Sequence, residues 1–176
     1  MNRYLMNTFR FLGLLALQVL VLNYIRINGY INPYVYILYI MLLPFGIKGW
    51  VLLAAGFVMG YSVDLFMGTP GLHTGATVLM AFMRPTIIRM SSGAQESENL
   101  FEPSLSKMGM RWFFSYSLWL VIIHHLALFF LESFSIAQLG NTLLRALFSV
   151  IFTQLFILLL MLMFKSGTKK SERLAL

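Results

Sequence analysis

The chain has 176 residues, 59% of them hydrophobic and 11% charged, with a mean hydropathy of +0.80 and a formal charge of +7. Soluble domains carry roughly 25% charged residues because their surfaces must be hydrated, so this composition excludes a water-facing globule and leaves lipid as the main solvent. Backbone groups in lipid need internal partners, which restricts spanning segments to helices or closed barrels. Unbroken apolar runs such as Val150 to Phe164 lack the alternating polarity of barrel strands.

A hydrocarbon core of about 30 Å takes about 20 helical residues. Six segments approach that length, and together they predict an all-α, polytopic membrane protein folded as a single membrane domain over 1–176. The first span covers about 9–25. Arg3 and Arg10 precede it, but its distal flank, Asn23-Tyr24-Ile25-Arg26, offers no small-residue cleavage site, so an uncleaved anchor is expected. The second, about 32–43, is short and bracketed by Pro33 and Pro44. A proline inside a helix removes a hydrogen bond and crowds the preceding turn, so Pro44 marks the end of this span or a kink, and a re-entrant segment is the alternative. The third and fourth spans cover about 49–66 and 70–88. The fifth covers about 111–131 and the sixth about 138–164. A polar stretch over 90–110, with Ser91, Ser92, Gln95, Glu96 and Glu98, reads as a cytoplasmic loop, and a basic tail runs over 165–176.

Charge placement gives the orientation. With both termini cytoplasmic, Arg3, Arg10, Lys48, Arg84, Arg89, Lys107, Arg111, Lys165, Lys169, Lys170 and Arg173 fall on the inner side, leaving only Arg26 and Arg145 outside. That asymmetry follows the positive-inside rule. Basic residues scattered at the ends of apolar runs do not form a nucleic-acid-binding stripe. Cysteine is absent, which excludes a disulfide framework and a thiolate metal site.

The junction of the third and fourth spans is the most informative region. Gly56, Gly60 and Asp64 recur at steps of four and share one drifting helix face, while Gly71 and Gly75 open the next span. Small residues let helix backbones approach closely in lipid. They can pack one span on the next, or receive a partner's helix. Asp64 stands roughly 24 Å beyond Lys48, at a helix end whose macrodipole is already negative. A carboxylate there needs a partner, and Arg145 and His73 are the in-chain candidates. Gly68-Thr69-Pro70-Gly71 reads as a tight turn, with Pro70 suited to the first turn of the following helix.

His124 and His125 are adjacent, so their side chains diverge by roughly 100° and do not grip one metal as an i, i+4 pair would. At least one is expected to bond a neighbouring helix. Tyr30, Tyr34, Tyr36, Tyr39, Trp50, Trp112 and Trp119 include expected interface anchors. Ser115 and Ser117 lack a base and acid at recognisable spacing, and no nucleotide or metalloprotease motif occurs. No catalytic residue, cofactor or metal is therefore expected.

The run Pro44 … Gly56-Phe57-Val58-Met59-Gly60-Tyr61-Ser62-Val63-Asp64 … Gly68-Thr69-Pro70-Gly71-Leu72-His73 resembles the signature of the MreD family of rod shape-determining membrane proteins. Leucines commonly follow the second glycine in that family, where Tyr61 and Ser62 stand here. The resemblance implies a multi-pass, non-enzymatic scaffold in the bacterial cytoplasmic membrane. Its implied partners are membrane lipid and an MreC-type protein, within a cell-elongation machinery that also contains MreB, RodA and a class B penicillin-binding protein. Gly56, Gly60, Asp64, Gly71, His73 and Gly75 are the expected packing or partner residues, and Pro44 and Pro70 the expected kink or turn. The family is also similar to substrate-binding subunits of energy-coupling-factor vitamin transporters, which share a six-helix fold. A transporter subunit with a pocket lined by the tyrosines over 30–39 is the alternative.

Overall fold

A computed structural model describes residues 3–25, 32–91, 102–133 and 139–173. Among them every regular element is helical. The long helices are α1 (Arg3–Leu20), α3 (Gly49–Met67), α4 (Leu72–Ser91), α6 (Met110–Ser133) and α7 (Leu139–Arg173), and the one-turn helices are α2 (Leu38–Met41) and α5 (Leu105–Met108). Among the described residues four stretches are long and apolar enough to cross a membrane: Leu5–Tyr24, Gly49–Met67, Met110–Ser133 and Gly140–Met163. The chain is a helical membrane protein.

Helix α4 spans 20 residues, long enough to cross at about 1.5 Å per residue, yet it is not among the four. Its composition explains the difference, because it carries His73, Thr74, Thr77, Arg84 and Arg89. It packs chiefly between α3 and α6, where polar side chains can find protein partners. Pro85 lies inside it.

The segment over 32–43, expected to form a second span, is regular only from Val35 to Met41, as a 3-10 turn over Val35–Ile37 followed by α2. Those seven residues rise about 12 Å, so the regular part alone does not span a hydrocarbon core and the irregular backbone on either side must supply the rest of any crossing. Pro33 and Pro44 confine the helix, as the sequence suggested. Less expected is its burial: Val35, Tyr36, Ile37, Leu38, Ile40 and Met41 are all 0% exposed. The segment runs through the interior, against α1, α3 and α7.

Other expectations change with it. Tyr34 and Tyr36 are core residues and not interface anchors, whereas Trp50 and Trp119 are exposed. Arg84 is 1% exposed, so it belongs to the interior and not to the inner-surface charges. Part of the expected loop over 90–110 is built into the fold: Leu105 of α5 is buried, and Glu102 meets Arg10 of α1 at 3.1 Å. The remainder, over 92–101, lies outside the described residues, as do Arg26 and Tyr30. Helix α7 continues past the expected end of the sixth span, to Arg173.

Glycine sets the approach of α3 to α4. A Cβ added at Gly60 would lie 2.6 Å from Thr74 Cα and 2.7 Å from the His73 carbonyl oxygen, which is backbone that cannot swing aside. At Gly56 it would meet Ala81 Cβ at 3.1 Å. This face is thus filled by α4 of the same chain and is not open to a partner's helix. Gly60→Leu is expected to destabilise the protein by at least about 3 kcal/mol, the upper range for overpacking, seen as loss of monodisperse protein in detergent. Gly60→Ala should already lower the melting temperature. Gly13→Ala, where nothing lies within 4 Å of the new Cβ, should leave it level or raise it, because alanine favours a helix interior by about 1 kcal/mol over glycine.

Candidate functional site: a capped elbow and a buried polar cluster

Helix α3 ends at Gly68, which adopts φ +66° and donates its N–H to the Asp64 carbonyl oxygen at 2.9 Å. Glycine enters this left-handed region without steric penalty and is the usual residue past a helix end. Pro70 lies in the connection, and Gly71 turns the chain again at φ +85° before α4 begins at Leu72.

The Asp64 side chain then closes the elbow. Oδ1 accepts from the His73 backbone N–H at 3.0 Å and from the Thr69 hydroxyl at 2.9 Å. Oδ2 accepts from the Thr74 N–H at 2.9 Å and the Thr74 hydroxyl at 2.6 Å. Both oxygens are fully used. The carboxylate sits at the C-terminus of one helix but caps the N-terminus of the next, where free amides and the positive end of the macrodipole stabilise an anion. This resolves the charge problem posed by the sequence. The partner is neither Arg145, which pairs with Glu132 at 3.3 Å and lies over the Phe129 ring, nor the His73 imidazole. Gly60 and Asp64 act together: the glycine admits the α4 backbone, and one turn later the carboxylate grips its first amides. Gly75 faces α6 instead: a Cβ added there would lie 3.2 Å from the Leu131 side chain.

The His73 ring points inward to a cluster centred on Tyr36. The phenol oxygen lies 2.7 Å from His124 Nε2, 3.0 Å from His73 Nδ1 and 3.2 Å from Thr77 Oγ1. Thr77 gives its own proton to the His73 carbonyl oxygen at 2.7 Å, so it can only accept from the phenol. His124 Nδ1 is buried without a hydrogen-bond partner among the described residues. A buried donor without an acceptor costs more than a bare lone pair, so the arrangement of least cost protonates His124 at Nε2, which donates to Tyr36. The phenol then donates to His73 or Thr77.

His125 turns the other way. Its Nδ1 lies 2.9 Å from the Val121 carbonyl oxygen and must donate; Nε2 then accepts from the Thr153 hydroxyl at 3.0 Å. Thr153 in turn accepts from the Tyr34 backbone N–H at 3.0 Å. The adjacent histidines thus reach different elements, as their helical divergence requires. Among the described residues no group of three or more His, Asp or Glu is arranged to hold a metal ion.

A further set of interior polar residues serves the backbone over 32–44, whereas Ser117 and Gln154 bond each other across α6 and α7. Gln18 of α1 accepts from the Val35 N–H at 2.9 Å and donates to the Pro33 carbonyl oxygen at 3.1 Å. Ser149 of α7 accepts from the Asn32 N–H at 3.3 Å. At the other end Arg84 donates to the carbonyl oxygens of Met41, Leu43 and Pro44, while its Nε donates to the Tyr116 hydroxyl at 2.9 Å. Tyr116 donates onward to the Met41 carbonyl oxygen at 2.9 Å. An arginine inside a membrane bundle is held by backbone carbonyls when no carboxylate is near, and these are the orphan acceptors of a helix C-terminus. Gln18, Thr153 and Tyr116 were not evident as site residues from the sequence; an isolated glutamine within the first apolar span was the one available signal.

Two substitutions separate these roles. Arg84→Leu strands the Leu43 and Pro44 carbonyls, while Met41 keeps the Tyr116 hydroxyl, and should cost about 3 kcal/mol or more, since bonds to charged groups contribute about 1.5–3 kcal/mol each. Arg84→Lys should recover part of it, because an ammonium reaches the carbonyls but leaves Tyr116 unserved. Tyr36→Phe should cost about 1–3 kcal/mol by leaving buried histidine nitrogens unpaired. Thermal unfolding in detergent measures both. Compared with known proteins, the chain matches no protein-family model, no curated protein and no solved structure.

Proposed function

We propose that the chain is a non-enzymatic scaffold of the bacterial cell-elongation machinery, an MreD-like protein of the cytoplasmic membrane with six crossings and cytoplasmic termini. On this reading α4 and the segment over 32–43 complete the set begun by the four apolar helices. The observation that carries the proposal is that the motif residues behave as one physical unit. Gly56 and Gly60 admit α4, Asp64 caps it, and Gly68 and Gly71 turn the chain between them. Pro44 closes the buried segment whose carbonyls Arg84 of α4 receives. A degenerate motif that builds a coherent structural device is better support for the resemblance than its letters alone.

Support for a non-catalytic role comes from how the interior polar groups are used. Gln18, Arg84, Tyr116, His125 and Thr153 are engaged with backbone or with each other. Tyr34 and Tyr36, which the transporter alternative would need to line a pocket, are 4% and 0% exposed and pack edge-on against His73.

A scaffold with its glycine face internally filled must meet partners through its outward faces. Helix α3 presents Phe57 and Tyr61 there, both about half exposed and stacked with ring centroids 5.8 Å apart. Rigid aromatic pairs are effective anchors for an incoming helix. Recovery of a co-expressed MreC-type protein with the tagged chain should fall about tenfold, roughly 1.4 kcal/mol, for Phe57→Ala with Tyr61→Ala. Undiminished recovery by a stably inserted double variant would contradict the surface. Failure of the unsubstituted chain to recover any such protein would contradict the function.

A further inference from the structure

A cavity of about 650 Å³ opens beside the N-terminal half of α1, bounded by α2, α5 and the distal part of α7. Its body is apolar, lined by Leu14, Leu17, Leu38, Leu42 and Met161. Its charged residues, Arg10, Glu102 and Lys107, come from the start of α1 and the residues in and just before α5. Arg10 is engaged by Glu102 at 3.1 Å, whereas Lys107 is exposed and makes no ion pair among the described residues. Two cations against one anion leave this mouth with a net charge of about +1.

We propose that this cavity binds one phospholipid from the adjoining leaflet, an acyl chain lying along α1 and the phosphate held at Lys107 and Arg10. The occupant must join a long apolar body to a negative head, because the lining changes from one chemistry to the other within a single space. A free phosphate would leave the apolar body empty. A partner helix would have to bury the Glu102 carboxylate and the Lys107 ammonium together, at a desolvation cost that a headgroup in the interfacial water avoids. Basic recesses between membrane helices are recurrent sites for anionic headgroups, and the volume lies within the range of specific ligand sites. The site does not depend on the elongation-machinery reading.

Gly13 provides the test. It lines the cavity, and a Cβ added there meets nothing among the described residues within 4 Å, so a large side chain can fill the space without displacing backbone. The full chain is purified in mild detergent, supplied with phosphatidylglycerol or phosphatidylethanolamine, and weighed by native mass spectrometry. The unsubstituted protein is expected to retain one lipid, phosphatidylglycerol in preference. Gly13→Phe should lower the retained fraction about tenfold at an unchanged melting temperature. Lys107→Glu, at an exposed position, should abolish the headgroup preference and provides the same reading if Gly13→Phe proves unstable. No retained lipid, equal retention by Gly13→Phe, or a preference that survives Lys107→Glu would overturn the proposal.

Discussion

The constraint on which this structure depends is the cost of unpaired backbone in a medium without water. Residues 32–44 form neither a complete helix nor a strand, yet they lie in the centre of a lipid-facing bundle. Irregular backbone is tolerated at such depth only where protein supplies the missing partners. Here α1 supplies Gln18, α4 supplies Arg84, α6 supplies Tyr116, and α7 supplies Ser149 and Thr153. The burial of Gln18, Arg84, Tyr116, Ser149 and Thr153 is explained by this one demand. It also suits α4, whose His73, Thr77 and Arg84 are buried, to its place between α3 and α6.

The second organising device is the elbow between α3 and α4. Lipid gives little apolar driving force for helix association, so close packing and specific polar bonds must supply it. Gly60 permits the contact and Asp64 fixes its register, because the carboxylate reaches the first amides of α4 only if the helices touch at the glycine. His73 joins this elbow to the central cluster. Its N–H serves Asp64 while its ring serves Tyr36, so displacement of α4 would be felt at the buried segment and at His124.

Much of this was legible in the residues. Apolar runs located α1, α3, α6 and α7, and glycine spacing singled out the α3–α4 face. What was not legible was direction. A Gly-x-x-x-Asp face reads the same whether it meets its own chain or another, and only the Thr74 backbone, 2.6 Å from where a Cβ on Gly60 would lie, assigns it inward. Asp64 was matched in sequence with Arg145 and His73 because charge suggests charge, whereas the structure uses backbone amides, which no side-chain pattern advertises. Arg84 was counted among surface charges for the same reason: its partners are carbonyls exposed by a broken helix. The short segment between Pro33 and Pro44 was recognisable as irregular, but its burial depends on five other elements and has no local signature.

Amide hydrogen exchange across residues 33–43, measured on the intact protein in nanodiscs, tests the central claim most directly. If interior side chains satisfy this backbone, the Tyr34, Val35 and Tyr36 amides will exchange as slowly as the middle of α3 despite lying outside a regular α-helix. Exchange at the rate of an open loop would contradict the account.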